Sequence, residues 1–303
     1  IQMSMGFGDF YYGMLLSSRQ LFSGIANIPG GFLVDMAQKQ WGLIFTGCML
    51  WLGIFCMVAG AAPNYWVLFA AVAFMGVPGT IWHLPAFATL SQRFPDKRGF
   101  ALTTHSAGGN VGGALGPLVA GLLVGALITA GNEWRYILFM FAGPAFVMCF
   151  PVLWTLRDVG IAEAPGPQSG LRDRLRGAGD LMKRPVILAI TLAMILRSMG
   201  FVVVTSWSPK YLSQSIAEGG VGLAPFWVGL NPALLIGMGV LFAPFLGMLS
   251  DKFGRKQVVL PGLVVSILLT LAVVQVGSNV WLLALIFATM GPFSFTLTQL
   301  LQA

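Results

Sequence analysis

The chain has 303 residues, 57% hydrophobic and 9% charged, against roughly 25% charged in ordinary globular domains. That balance excludes a soluble single-core protein, because one core cannot hide so much apolar surface from water; the consistent solvent is the lipid bilayer. The net charge of +7 would serve nucleic-acid binding only if the basic residues formed one groove-reading face, and their alternation along the chain, given below, argues against that partner.

A helix needs about 20 apolar residues to cross the hydrocarbon core. Nine stretches qualify as candidates: 14–36, 42–61, 65–91, 99–127, 135–156, 186–208, 224–249, 258–276 and 280–301. Residues before the first form a short polar-aromatic opening without a secretory-signal pattern. In the first candidate, positions 19, 23, 27, 31 and 35 are Arg, Ser, Asn, Gly and Asp. A step of four advances about 400° around a helix, so these residues share a slowly drifting face. The stripe can line a path for a solute, with Arg19 and Asn27 as contacts; small polar residues also serve ordinary helix packing, and an end-placed Arg can snorkel.

Breaks at Ala62-Pro63-Asn64, Ala130-Gly131-Asn132-Glu133 and Gly277-Ser278-Asn279 separate later candidates. The chain's two histidines, His83 and His105, fall in the third and fourth. Each lies roughly 10–15 Å from the cytoplasmic end of its helix. Such a pair can titrate near neutral pH and relay protons, although two histidines satisfied within helix packing is the favoured reading. The fourth candidate also carries Gly112-x-x-x-Gly116-Pro117-x-x-x-Gly121, which permits close helix approach. Pro78, Pro85, Pro117, Pro232 and Pro244 can kink their helices.

The long polar connection, 157–185, holds Arg157, Arg172, Arg174, Arg176, Lys183 and Arg184. Its second half is a candidate amphipathic surface helix. Beyond it, Arg197 lies twelve residues after Pro185, ~18 Å along a helix and so near mid-membrane. A cation there is costly and faces a wet cavity or a partner. Ser198, Gly200, Thr205 and Ser206 would suit a wet face, with Trp207, Tyr211 and Asn231 as further cavity candidates. The alternative is an Arg paired with backbone carbonyls. None of the ten acids falls mid-membrane by these spans. That favours an anionic or neutral organic substrate, unless a coupling acid stands on a further helix. Cys48, Cys56 and Cys149 lie in apolar runs without metal-ligand spacing, no nucleotide-binding loop occurs, and no cofactor is expected.

Alternate connections are basic. They hold Lys39; Arg93, Lys97 and Arg98; the six linker residues; and Lys252, Arg255 and Lys256, thirteen of the seventeen Lys and Arg. The intervening connections hold Arg135 and Lys210. The positive-inside rule places the basic set, including the long linker, in the cytoplasm, in a plasma or inner membrane.

Gly247-Met-Leu-Ser-Asp251-Lys252-Phe-Gly254-Arg255-Lys256 is the densest of these charge bursts, and Gly31-Phe-Leu-Val-Asp35-Met-Ala-Gln-Lys39-Gln40 is a weaker copy. Their register divides the chain into a first half at 1–156, the linker 157–185 and a second half at 186–303. With one helix absent at the front and two at the back, the intact protein would have twelve helices, six in each half. The second copy matches the cytoplasmic signature of the major facilitator superfamily of secondary transporters, which this chain resembles over nearly its whole length. The first copy departs at Met36 and Gln38, where the family has a basic residue and Gly. Arg98-Gly99-Phe-Ala101 and Trp134-Arg135 are further matches, and the Gly112–Gly121 series resembles, incompletely, the fifth-helix motif of the family's antiporters. His83-x-Pro85 with Gly108-Gly-Asn110-x-Gly-Gly113 resembles the fosmidomycin-resistance exporters, except that Leu84 separates the His and Pro.

The resemblance implies a monomeric, non-enzymatic secondary transporter that moves a small solute by alternating access at a site near the midplane between the halves, with the proton as coupling ion. It also gives the signature residues a latch role: an Asp at a helix end accepts from the positive N-terminus of a neighbouring helix, and the basic residues pair with it or with lipid headgroups. A fixed topology anchor is the plainer alternative. The primary expectation is an anionic organic solute bound by Arg197; a proton-coupled drug exporter is the alternative, and a membrane sensor or a polytopic membrane enzyme are the rivals of another class.

Overall fold

A computed structural model describes residues 1–129, 134–160 and 183–296. Among them the chain is α-helical, with short 3₁₀ and π turns and no strand. The all-α polytopic bundle is therefore the observed fold. Seven stretches are long and apolar enough to span a membrane: Gln38–Ala61, Tyr65–Arg93, Pro95–Leu127, Arg135–Leu156, Pro185–Ser213, Pro225–Phe253 and Arg255–Gln275, with a shorter apolar helix at Val280–Ser294. The first candidate is also a helix, of 28 residues, but Ser17, Ser18, Arg19, Gln20, Ser23 and Asn27 leave it outside that set. The end of the ninth candidate and the expected surface helix with Arg172, Arg174 and Arg176 lie outside the described residues.

The chain forms two compact units: Ile1–His105 with Ala126–Gly166, and Ser106–Gly125 with Pro167–Ala303. The first unit begins with a short helix α1 (Gln2–Met5) and continues into α2 (Asp9–Met36), α3 (Trp41–Ala61), α4 (Tyr65–Met75), α5 (Val77–Arg93) and α7 (Arg135–Leu156). Between α5 and α7 runs α6 (Arg98–Thr129), whose residues 106–125 belong to the second unit.

Packing of α3 on α7 follows from small residues facing aromatic ones. Gly53 and Gly60 are seven apart, as are Phe139 and Phe146, so in an antiparallel pair each glycine receives one ring. A Cβ on Gly53 would lie 2.7 Å from the Phe146 ring, and one on Gly60 2.5 Å from Phe139. Arg135 seals the end of this pair: its guanidinium donates to the carbonyls of Gly60 (2.9 Å) and Ala62 (2.7 Å). A cation on the last carbonyls of a helix satisfies orphan acceptors and complements the helix dipole.

The third candidate span is two helices, broken at Gly76. Pro78 lacks the N–H that would bond the carbonyl of Phe74, and the indole Nε1 of Trp51 takes that carbonyl instead at 2.9 Å. A side chain on Gly76 would collide with the carbonyl of Arg19, so α2 approaches at the break. Asn64 begins α4 by accepting from the Val67 amide at 3.1 Å, which explains why the Ala62-Pro63-Asn64 break is sharp.

The second unit contains α8 (Pro185–Ser213), α9 (Pro225–Phe253), α10 (Arg255–Gln275) and α11 (Val280–Gly291), which runs into a π turn at Pro292–Thr296. Its core gathers Leu212, Leu235, Leu283, Phe287 and Met290. Helices α9 and α10 are joined through Gly254 alone, at φ +92°. That backbone region strains any residue with a Cβ, which is why the signature has Gly there. Asn279 caps α11 by accepting from the Leu282 amide at 3.1 Å.

Candidate substrate path and gating elements

The polar stripe of α2 divides when packed. Leu15, Ser18, Ala26, Gly30 and Val34 form the buried face. Ser23 is drawn into packing against α5: its hydroxyl shares a 2.5 Å hydrogen bond with Thr80, which also donates to the Ser23 carbonyl at 3.0 Å. Arg19 and Asn27 stay exposed, and Gly31 and Asp35 are half-buried. Thr80, the partner that anchors the stripe, carried no signal beyond being a polar residue in an apolar run.

His83 on α5 and His105 on α6 come together. His83 Nδ1 and His105 Nε2 are 3.2 Å apart, and the rings meet edge to face. Phe87 stacks on His83 with centroids 5.4 Å apart and meets His105 edge-on at 5.6 Å.

In the second unit, Arg197 is engaged. Its Nη2 donates to the carbonyl of Ser294 in the π turn, and its guanidinium lies 5.4 Å from the Phe201 ring centroid. The hydroxyls of Ser294 and Ser266 share a hydrogen bond of 2.6 Å. A π turn disrupts the regular α-helical i→i−4 pattern and is frequent at functional sites; here one of its carbonyls accepts a cationic donor from another helix. Ser266 and Ser294 were not singled out from sequence, although a serine within an apolar span must find a partner.

Asn231 on α9 is fully buried, and its Nδ2 donates to the Trp227 carbonyl at 2.7 Å. Its Oδ1, and the hydroxyl of buried Ser208 on α8, have no hydrogen-bond partner among the described residues. An unpaired buried acceptor costs about 1–3 kcal/mol, so each is a place where a bound solute or water would be welcome. Trp207 is half-buried, with the Lys210 ammonium 5.7 Å from its ring centroid. Asn231→Leu is expected to melt at or above the wild-type temperature while losing transport, read by thermal unfolding and flux on one preparation. Loss of both would mean that Asn231 serves packing.

Within the glycine series on α6, only Gly121 is tightly packed. A Cβ there would lie 2.6 Å from the Pro225 carbonyl oxygen and 3.0 Å from the Gly229 Cα. Gly112 and Gly116 have no atom within 4 Å of where a Cβ would stand. The carbonyl of Pro117 reaches the same contact from the α6 side, against Gly229. Gly229 was missed in the sequence, since it sits in no motif of its own.

The two signature loops differ in surroundings. In the first, the indole of Trp41 donates to the Val34 carbonyl at 3.0 Å, the Gly42 amide donates to the Val159 carbonyl at 3.2 Å, and Gly160 lies against the backbone of Gln38 and Lys39. Lys39 itself is exposed. In the second, Asp251, Lys252, Gly254, Arg255 and Lys256 are all exposed and Gly247 is half-buried. The Lys252 ammonium lies 5.3 Å from the Phe253 ring centroid, and no ion pair joins these residues among those described.

Comparison with known proteins agrees with this architecture. The chain is 27% identical over 267 residues to "Multidrug resistance protein MdtG" of Yersinia enterocolitica, covering 86% of this chain and 60% of that protein. It is 26% identical over 287 residues to the protein of that name from Salmonella paratyphi C, covering 93% and 67%. The chain thus spans roughly three fifths to two thirds of these relatives' length. Among solved structures, a bacterial homolog of the human lysosomal transporter Spinster superposes with a TM-score of 0.74 at 18% identity, over 98% of this chain and 68% of that one. The nucleoside transporter NupG gives 0.67 at 16%, over 97% and 74%. The model of the Major Facilitator Superfamily matches residues 1–303, and with the helical bundle described above this chain is an integral membrane protein belonging to that superfamily.

Proposed function

We propose that the full-length protein is a secondary active exporter of drug-like organic solutes, working by alternating access with protons as the driving ion. The observation that carries this is the similarity to proteins named for multidrug resistance along 86–93% of the chain. Among the described residues, Arg197 is held by a carbonyl and an aromatic ring, which weakens the case for a dedicated anion site. In this reading the protein sits in the inner membrane with its basic loops cytoplasmic, the halves 1–156 and 186–303 rock about the linker, and the two Gly-x-x-x-Asp loops act as unequal latches.

A second reading, transport of an organic anion, keeps one supporting observation. Both groups engaging Arg197 are uncharged, so its charge remains available to a carboxylate that displaces the Ser294 carbonyl.

The deciding experiment is flux of lipophilic drugs and of organic anions by the full-length protein in proteoliposomes, with and without a pH gradient. Drug movement that follows the gradient is expected. Movement of anions alone would replace the first reading by the second, and movement of neither would overturn both.

A further inference from the structure

The hydrogen bond between His83 and His105 has a definite proton inventory. The rings face each other through His83 Nδ1 and His105 Nε2 at 3.2 Å, so one N–H must lie between them. When both rings are neutral, each carries one proton. Either His83 Nδ1 donates and His83 Nε2 is bare, or His105 Nε2 donates and His105 Nδ1 is bare. In each tautomer the pair presents one bare outer nitrogen and one outer N–H.

We propose that this pair is a one-proton relay between α5 and α6; the inference rests on the proton-coupled reading above. Starting from the second tautomer, a proton binds His105 Nδ1. The shared proton then shifts from His105 Nε2 to His83 Nδ1, and the proton on His83 Nε2 departs. One N–H bond forms and one breaks at each ring, the net charge returns to zero, and the pair is left in the first tautomer. It cannot pass another proton in the same direction until the rings reset. Placing a second extra proton on the pair sets N–H against N–H, which breaks the bond and releases α6 from α5. Proton passage and helix separation are therefore alternatives at a single contact.

The surroundings fit such a device. Phe87 lies against both rings and limits their rotation. His83 is exposed and His105 half-buried, and both belong to the first unit. The other titratable groups on neighbouring elements are Asp9, Tyr11, Tyr12, Arg19 and Asp35 on α2, Lys39 in the following turn, Cys48 and Cys56 on α3, Tyr65 on α4, Arg93 on α5, Asp96 and Lys97 in the turn between α5 and α6, and Arg98 on α6. None bonds to either imidazole among the described residues, where the pair's polar contact is with itself. A coupled pair of this kind titrates in two macroscopic steps that belong to the pair.

The test is ¹⁵N-imidazole NMR of the full-length protein in nanodiscs across the range where histidine titrates, with His83→Gln and His105→Gln to assign the signals. Two separated steps are expected in the wild type, and one step for the surviving ring in each variant. Rings that titrate in a single step, unmoved by replacing the partner, overturn the relay. In proteoliposomes each Gln variant, whose amide can keep the hydrogen bond without titrating, is expected to lose gradient-driven accumulation and to retain substrate exchange. Accumulation undiminished in both variants also overturns the relay. Wild-type transport indifferent to the pH gradient would remove the proton-coupled reading by itself, and the titration decides the relay's chemistry regardless.

Discussion

An Arg197→Ala protein is expected to be less stable and to handle anions and neutral drugs differently. Arg197 ties α8 to the π turn beyond α11, and Ser294 carries the connection on to Ser266 of α10. Removing the guanidinium leaves a carbonyl within an apolar span without its donor, at a cost of about 1–3 kcal/mol. The loss is offset in part because the cation's own burial is costly. Thermal unfolding in detergent should therefore shift downward, and drug flux should fall only as far as the folded fraction does. If the second reading holds, anion flux should disappear outright. Arg197→Lys separates charge from geometry: it keeps the cation but not the planar fork, so it should restore anion flux more than stability. An unchanged melting temperature in Arg197→Ala would remove the node that joins these three helices.

Gly121→Leu is expected to be the most damaging substitution in the second unit. The obstacles to its side chain are backbone atoms, the Pro225 carbonyl and the Gly229 Cα, and backbone cannot rotate aside. Overpacking costs about 1–3 kcal/mol where side chains can yield, and this contact should fall at or above the top of that range. Gly229→Leu should reproduce the loss from the other helix. Gly112→Ala and Gly116→Ala, with open space around them, should stay within about 0.5 kcal/mol of wild type. The comparison is made by thermal melting of the four proteins; a Gly121→Leu that melts with the wild type would mean that α6 and α9 do not rely on this approach.

Helix positions were legible because their ends are written locally. The expected 135–156 is the observed Arg135–Leu156, and 42–61 differs by one residue at its start. The breaks read at Ala62-Pro63-Asn64 and Gly277-Ser278-Asn279 fall where Asn64 and Asn279 cap the helices that follow. Two extents were less legible. The first helix begins at Asp9 rather than 14, and the 186–208 helix runs to Ser213 through Pro209. In both cases polar or ring-constrained residues that discourage a helix in isolation are held in one by the bundle. Pairings between distant residues were the least legible part of the site. That His83 and His105 share one height on adjacent helices follows from spacing, but that their nitrogens meet does not. The acceptor of Arg197 is a backbone carbonyl made available by a π turn, and no residue type marks it. Gly229 is one glycine among 39, and only its neighbour on α6 distinguishes it.

The contact of Val159 and Gly160 with the Gln38–Gly42 loop bears on how this protein is handled. The chain leaving α7 is fastened by its backbone to the turn between α2 and α3. A reporter or affinity tag spliced between Leu156 and Gly160 would pry at that turn as well as at its own insertion point. The same insertion placed past Gly160 would leave both fastenings intact, so the usable stretch of linker begins several residues later than the end of the helix indicates.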